Sequence, residues 1–389
     1  MNNTKSISKL LPVLTAFFVM GFCDIVGITS DYMQHSFEWS STMTGLVPSF
    51  VFIWFLFLAI PCGNLMNRIG RKNTVMVSLT ITVVGMFLPL VSYDSVTCLL
   101  AYMLLGIGNA VLQVSLNPLL QNVVTNQKLM ASSLTAGQVI KAISSLLGPE
   151  FVVLATTHFG NDHWYYCFPI LGCITIVSAI WLALTPITRE TGGSQHSSVT
   201  GSLTLLKRQT VLLLFFGIFF IVGIDVGTNF ISSKIMASRF AWEPEEVKFA
   251  PQIYFLCRTV GAMLGVVLLA KVKASQYFKV NIIATVLSIL LLAFVSHPTF
   301  DMVCIGCIGF FASSIFPIIY SMAFDECQDR INEISGLMIT AIAGGAVVPP
   351  VIGYAIDKGG ITMAILVIAL CALYLTYCAF GIQITCKRA

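Results

Sequence analysis

Twelve stretches of about 20 mostly apolar residues follow one another along this chain, at approximately 9–33, 43–66, 73–92, 97–123, 131–156, 164–184, 210–235, 248–270, 278–297, 300–324, 333–356 and 361–385. Each is long enough to cross the hydrocarbon core of a bilayer as a helix. Lipid offers no hydrogen bonds to the backbone, so runs of this length span it as helices. The composition leaves no soluble alternative. Charged residues are 10% of the chain and hydrophobic residues 57%, with a mean hydropathy of +0.90, whereas soluble domains carry about 25% charged residues. Too little polar surface exists to cover a water-facing molecule. The net charge of +4 is modest and forms no basic patch, so nucleic acid is not expected as a partner.

Most connections are short. The exception is TPITRETGGSQHSSVTGSLTLLKR, 185–208, a polar, Gly/Ser-rich linker between the sixth and seventh runs. It divides the chain into 1–184, a linker 185–208, and 209–389, expected to form two six-helix bundles. With the N-terminus placed inside, the inner segments hold Lys5, Lys9, Arg68, Arg71, Lys72, Lys128, Arg189, Lys207, Arg208, Lys271, Lys273, Lys279, Arg330, Lys387 and Arg388. The outer loops hold only Lys234, Arg239, Lys248 and Lys358. That fifteen-to-four bias follows the positive-inside rule and puts both termini in the cytoplasm. The apolar run after MNNTKSISK is too long for a signal peptide and lacks a small-residue cleavage pattern, so it reads as a retained span. Of twelve cysteines most sit in apolar runs, and Cys304 and Cys307, a C-x-x-C inside FDMVCIGCIGFF, share one helix face as packing residues.

The halves repeat. FFVMGFCD from Phe17 pairs with FFIVGIDV from Phe219, SLNPLLQ from Ser115 with SIFPIIY from Ser314, and Gly148-Pro149 with Val348-Pro349. The offsets are 202, 199 and 200 residues and the matches keep their order. Such parallel repeats relate two bundles about an axis normal to the membrane, an arrangement associated with alternating access.

The segment after the second run reads GNLMNRIGRK, Gly63 to Lys72. It resembles the signature G-x-x-x-D-R-x-G-R-[RK] of the major facilitator superfamily at Gly63, Arg68, Gly70, Arg71 and Lys72, with Asn67 where that family has Asp. The resemblance implies an all-α membrane protein of twelve transmembrane helices in two pseudo-symmetric bundles. It also implies a gating role for Gly63, Asn67, Arg68, Gly70 and Arg71. Glycines permit a tight turn, and the cations can bond helix C-terminal carbonyls and acids in one gating state. Asn67 carries no charge, which points to a looser gate.

Ionisable groups inside spans require a partner or a cavity, since each costs about 2.5–3.5 kcal/mol at the bilayer centre. Asp24 lies in the first run, Asp225 at the near-equivalent place in the seventh, Lys141 in the fifth and Arg258 in the eighth. The two carboxylates suit a proton or substrate site; the other reading is a static ion pair such as Asp24 with Lys141. Gln113 and Asn117 share a face of the fourth run, just before Pro118, which frees a carbonyl. Gln138 precedes Lys141 by three residues and Asn229 follows Asp225 by four. Amides of this kind either bind hydroxylated solutes or tie helices together. Phe316, Tyr320 and Phe230 could stack on a sugar face.

GNAVLQVSLNPLL, 109–120 with its preceding glycine, resembles the helix 4 segment G-x-L-E-x-x-x-N-P of the fucose–proton symporter family. VGIDVGTNFIS, 222–232, resembles that family's helix 7 pattern, and 314–357 its helix 10–11 region. Asp24 falls at the family's helix 1 aspartate. Gln113 replaces its helix 4 glutamate and cannot titrate, so a two-carboxylate relay is unavailable. The resemblance implies a bacterial inner-membrane importer of a sugar or related hydroxylated solute, with Asp24 and Asp225 as proton-coupling candidates. Gln113, Asn117, Gln138, Lys141, Asn229, Phe316 and Tyr320 are then substrate-binding candidates. Its partners are a small solute, a coupling proton and lipid; a monomer without cofactor or metal is expected. The alternatives are an uncoupled sugar or sugar-acid facilitator and a drug–proton exporter. Neither H-E-x-x-H nor G-x-S-x-G occurs, and the five histidines (His35, His158, His163, His196, His297) are expected in loops, so no enzyme is expected.

Overall fold

The computed structural model describes residues 2–26, 29, 32–33, 36–38, 41–124, 129–189, 199–242, 246 and 249–381, and these are almost wholly helical, with no strand among them. The helices are α1 (Asn2–Met20), α2 (Ser41–Ile69), α3 (Arg71–Val91), α4 (Ser95–Val123), α5 (Met130–Phe159), α6 (Cys167–Leu184), α7 (Gln209–Phe240), α8 (Phe249–Lys271), α9 (Ala274–Phe294), α10 (Pro298–Ala312), α11 (Ile315–Glu326), α12 (Ile331–Thr340) and α13 (Gly344–Gly381). The apolar runs account for them: α10 and α11 share the tenth, α12 and the start of α13 the eleventh, and the rest of α13 the twelfth. Among the described residues nine helical stretches are long and apolar enough to cross a membrane. One of them, Gln328–Gly381, carries two runs broken at Gly360, where φ is +73°. Together with α1 and α2 these stretches account for twelve spans. Side chains such as Val91 (84% exposed), Leu184 (78%) and Phe294 (78%) stand outward on apolar helices, a surface that lipid covers and water does not.

Packing groups the chain into two compact units. One comprises Met1–Thr125, Gly137–Ser202 and Asp329–Thr340; the other comprises Asn126–Ala136, Leu203–Gln328 and Ala341–Ala389. The first unit therefore takes α12 from beyond the linker, and the second takes the first turns of α5. Within the second unit the Ser132 hydroxyl of α5 donates to the Val266 carbonyl of α8 at 2.6 Å.

Local chemistry fixes the ends. Asp94 caps α4, accepting from the backbone N–H groups of Val96 and Thr97 at 3.0 Å each and from the hydroxyls of Ser92 and Thr97 at 2.6 and 2.7 Å. These donors favour the carboxylate, led by the Ser92 hydroxyl, and hold its pKa down at about 2. Gly70 separates α2 from α3 at φ +89°, a backbone conformation that a Cβ opposes.

Three expectations change in detail. The first run does not continue as one α-helix: α1 ends at Met20 and the chain tightens into a 3-10 turn over Gly21–Ile25. A Cβ on Gly21 would lie 2.6 Å from the Ser144 Cβ, so α1 meets α5 backbone-to-helix there. The eleventh run is interrupted by a 3-10 turn at Ala341–Ala343. A Cβ on Gly344, just beyond, would collide with the Phe219 carbonyl of α7. His158 lies in the last turn of α5 and His163 in a 3-10 turn, not in open loops. His297 precedes α10 as its cap residue, and His35 and His196 lie outside the described residues, as does 190–198 of the linker.

Candidate functional site

The fourth run positions much of the first unit's polar chemistry. Gln113 and Asn117 are buried on one face of α4. The Asn117 amide donates to the Gln113 carbonyl at 3.0 Å, while its Oδ1 has no hydrogen-bond partner. Pro118 cannot donate to the carbonyl four residues before it, so the Val114 carbonyl is left over. The Ser335 hydroxyl of α12 donates to that oxygen at 2.5 Å.

Asp24 sits in the 3-10 turn that follows α1 and is exposed. Its Oδ2 accepts from the Ser145 hydroxyl, at the middle of α5, at 2.5 Å. Ser145 also donates to the Lys141 carbonyl at 3.0 Å. The ion pairs among the described residues are Arg239–Asp301, Arg258–Asp225 and Arg330–Glu333, so Asp24 and Lys141 form no static pair. Gln138 and Lys141 are half-buried on α5, and α5 lies against α1 here: a Cβ on Gly137 would stand 2.7 Å from the Phe17 ring.

In the second unit Asp225 is held on both oxygens. The Tyr254 hydroxyl donates to Oδ1 at 2.5 Å and the Arg258 guanidinium lies 2.9 Å from Oδ2. The eighth-run arginine is thus the partner of the seventh-run carboxylate. Asn229 is half-buried, and its carbonyl accepts from the Ser232 hydroxyl. Phe316 and Tyr320 pack with ring centres 5.6 Å apart, and Tyr320 is fully buried against Phe324. Phe230 carries Lys234 over its ring at 3.9 Å.

The α2–α3 loop builds a network within the first unit. The Arg71 Nε donates to Asn332 Oδ1 at 2.7 Å, and its Nη1 to the Pro118 carbonyl at 3.0 Å and to Asn122 Oδ1 at 2.5 Å. The Asn332 amide donates to Asn67 Oδ1 at 2.7 Å. Asn67 Nδ2 in turn donates to Glu333 Oε1 at 3.1 Å. Arg330 completes the chain, with Nε 2.5 Å from Glu333 Oε2. Glu333 is 1% exposed. Gly63 admits this arrangement, since a Cβ there would come 2.6 Å from the Asn332 carbonyl. Lys72 caps α6 by donating to the Ala183 and Thr185 carbonyls at 2.9 and 2.8 Å. The Arg68 side chain is exposed, and its carbonyl accepts from Arg189 at 2.6 Å.

The sequence reading missed Asn332, Glu333, Arg330, Ser145 and Tyr254. Asn332 and Glu333 lie 261 and 266 residues from their partners Arg71 and Asn67, beyond any local spacing.

The chain is similar to a glucose/galactose transporter of Brucella abortus biovar 1 (strain 9-941), 26% identical over 383 residues, covering 93% of this chain and 90% of the relative. It is also similar to a putative glucose/galactose transporter of Helicobacter pylori (strain ATCC 700392 / 26695), 24% identical over 373 residues and covering 92% and 91%. Its fold matches the crystal structure of FucP, a major facilitator superfamily transporter in the outward conformation. The TM-score is 0.85 at 16% identity, over 96% of this chain and 98% of that one. The proton:xylose symporter XylE matches with a TM-score of 0.71 at 12% identity, over 97% and 96%. Residues 13–350 match the model of the Major Facilitator Superfamily. The twelve apolar runs, the glycine–arginine loop and this match agree: the chain belongs to the major facilitator superfamily, a family of membrane transporters and not of enzymes.

Proposed function

We propose that this protein imports a neutral hexose, or a closely related hydroxylated solute, across a bacterial inner membrane by alternating access, with a proton as the coupling ion. The observation that carries the reading is Asp24. An exposed carboxylate held by one hydroxyl, level with the middle of α5, needs a function that offsets its cost in lipid. A site that exchanges a proton meets that need, and Gln113 leaves Asp24 the carboxylate of the first six-helix repeat suited to it. Asp225 is different: Arg258 lies 2.9 Å from one of its oxygens and the Tyr254 hydroxyl donates to the other. It is proposed as a fixed charge that orients Arg258 for the solute, in place of the proton-carrying role expected from sequence. Gln113, Asn117, Gln138 and Lys141 supply the first repeat's hydroxyl-binding groups and Asn229 the second's, with Phe316 and Tyr320 offering rings that stack on a sugar face.

The repeats are taken as 1–184 and 209–389, with both termini cytoplasmic and one chain sufficient for transport. The α2–α3 network then lies at the cytoplasmic end, where Asn67, Arg71, Asn332, Glu333 and Arg330 hold a gate closed. The resemblance to transporters named for glucose and galactose supports the hexose class. Counterflow in proteoliposomes tests it: preloaded glucose or galactose drives entry of the labelled sugar, while a sugar acid or a lipophilic cation does not. Counterflow by the acid or the cation alone refutes the hexose reading.

A further inference from the structure

Asn109 occupies the midpoint of α4, Ser95–Val123, and is 3% exposed. It lies beside Cys23, the neighbour of Asp24. Its Nδ2 reaches no stronger acceptor than the Cys23 sulfur, and its Oδ1 has no hydrogen-bond partner. Asn109, Gln113 and Asn117 are spaced by four, so they line one face of the helix. Three residues before Asn109 on that face is Gly106, where a Cβ would stand 3.0 Å from the Trp54 indole Cδ1 of α2. The Trp54 Nε1 is also buried without a partner. One face of α4 in the first unit therefore carries an unspent donor, Trp54 Nε1, and two unspent acceptors, Asn109 Oδ1 and Asn117 Oδ1, beside an Asn109 Nδ2 engaged only by the weakly accepting Cys23 sulfur.

A buried amide group left unpaired is costly, because it has given up water and gained no bond in exchange. Leucine would fill the same space in a spanning helix at no such cost. The retained amide makes sense when a ligand completes it. The four groups are neutral and mix donors with acceptors, which fits hydroxyls, each able to give one hydrogen bond and accept two. A carboxylate ligand would find acceptors facing it. We infer that Asn109, together with Trp54, is a specificity-determining residue for a neutral sugar: its amide reads a pair of adjacent hydroxyls midway along α4, and the Trp54 N–H binds a further hydroxyl oxygen. This rests on the hexose reading above and adds to it residues that neither the signature loop nor the Q-x-x-x-N-P segment contains.

The preference for a hydroxyl over its absence is large at such sites, because the analogue leaves buried groups unpaired. Removing the amide removes the preference. The test uses the purified full-length protein in lipid nanodiscs, with binding of D-glucose, D-galactose and their singly deoxygenated analogues measured by titration calorimetry. Wild type, Asn109→Leu and Asn109→Ser are compared, the serine variant guarding against misfolding of the leucine one. The expected result is a loss of about tenfold or more in affinity for the preferred hexose in both variants. At the same time, one deoxygenation that costs the wild type about tenfold costs the variants nothing. Trp54→Phe is expected to erase the penalty at a different hydroxyl. Unchanged affinity in the variants, or a uniform weakening in which every deoxygenation penalty survives, overturns the assignment. Failure of the wild type to bind any of the sugars is a separate result. It overturns the hexose reading itself, and this assignment with it.

Discussion

The α2–α3 network makes an unusual demand of Asn67. Restoring the aspartate that the family signature carries there is expected to weaken this protein. The Asn67 amide donates to Glu333 Oε1 at 3.1 Å, and Glu333 is almost fully buried. Asn67→Asp replaces that donor with a second carboxylate at the same distance. Two like charges so placed repel by about 5 kcal/mol at an effective dielectric constant near 20. Arg330 on the other Glu333 oxygen and Arg71 nearby offset part of this. The half-exposure of position 67 screens more. A net loss of roughly 2–3 kcal/mol remains, most of it the desolvated repulsion and the lost hydrogen bond. Thermal unfolding of the detergent-solubilised protein should shift down by roughly 5 °C. The buried thiol of Cys62, next to Gly63 on α2, should alkylate several-fold faster. Adding Glu333→Gln to Asn67→Asp lets the glutamine amide donate to the new carboxylate and should recover about half of the loss. If Asn67→Asp is as stable as wild type, or the second substitution makes matters worse, the carboxylate has not moved from the loop to α12 and the reasoning fails.

Two further outcomes follow from the same physics. Arg258→Leu leaves the Asp225 charge with the Tyr254 hydroxyl alone, and a large drop in thermal stability is expected, restored in part by Asp225→Asn in the same chain; equal stability of single and double variants would contradict the pairing. Asp94→Ala removes the α4 cap and lowers the melting temperature at neutral pH. The Asp94 pKa is depressed to about 2 in the folded protein from about 3.9 unfolded. Its stabilisation is therefore fully present above about pH 4 and is lost as pH falls toward 2. The melting difference between Asp94→Ala and wild type should be constant from pH 7 to 5 and shrink below; a difference that grows on acidification would refute the assignment.

Much of this molecule could be read from its residues in order. Twenty-residue apolar runs have few structures open to them in lipid, so the spans were legible to within a few residues, and offsets near 200 exposed the repeat. What hydropathy could not reveal was breakage within a run. Gly21–Ile25 tightens and Ala341–Ala343 interrupts because glycines at 21 and 344 bring their helices against Ser144 and the Phe219 carbonyl. Those contacts join residues more than a hundred positions apart. The α2–α3 network shows the same limit. Asn67 read alone looked like a lost charge, and only the fold brings Glu333, 266 residues later, to the amide. Arg258 could be placed in the eighth run as a charge in need of a partner, but only the packing of α7 and α8 identifies that partner as Asp225. Asn109, by contrast, was readable: its spacing of four from Gln113 and of eight from Asn117 marks one polar face. Periodicity alone does not show which amide oxygens on that face stay without a partner.

The proposed function requires Asp24 to exchange a proton while the solute moves. Concentrative uptake of labelled hexose into proteoliposomes, with and without an imposed pH gradient, in wild type and in Asp24→Asn, tests this most directly. Accumulation in the wild type should require the gradient, and the variant should lose accumulation while sugar exchange at equal concentrations continues. Gradient-driven accumulation that persists in Asp24→Asn would contradict the account.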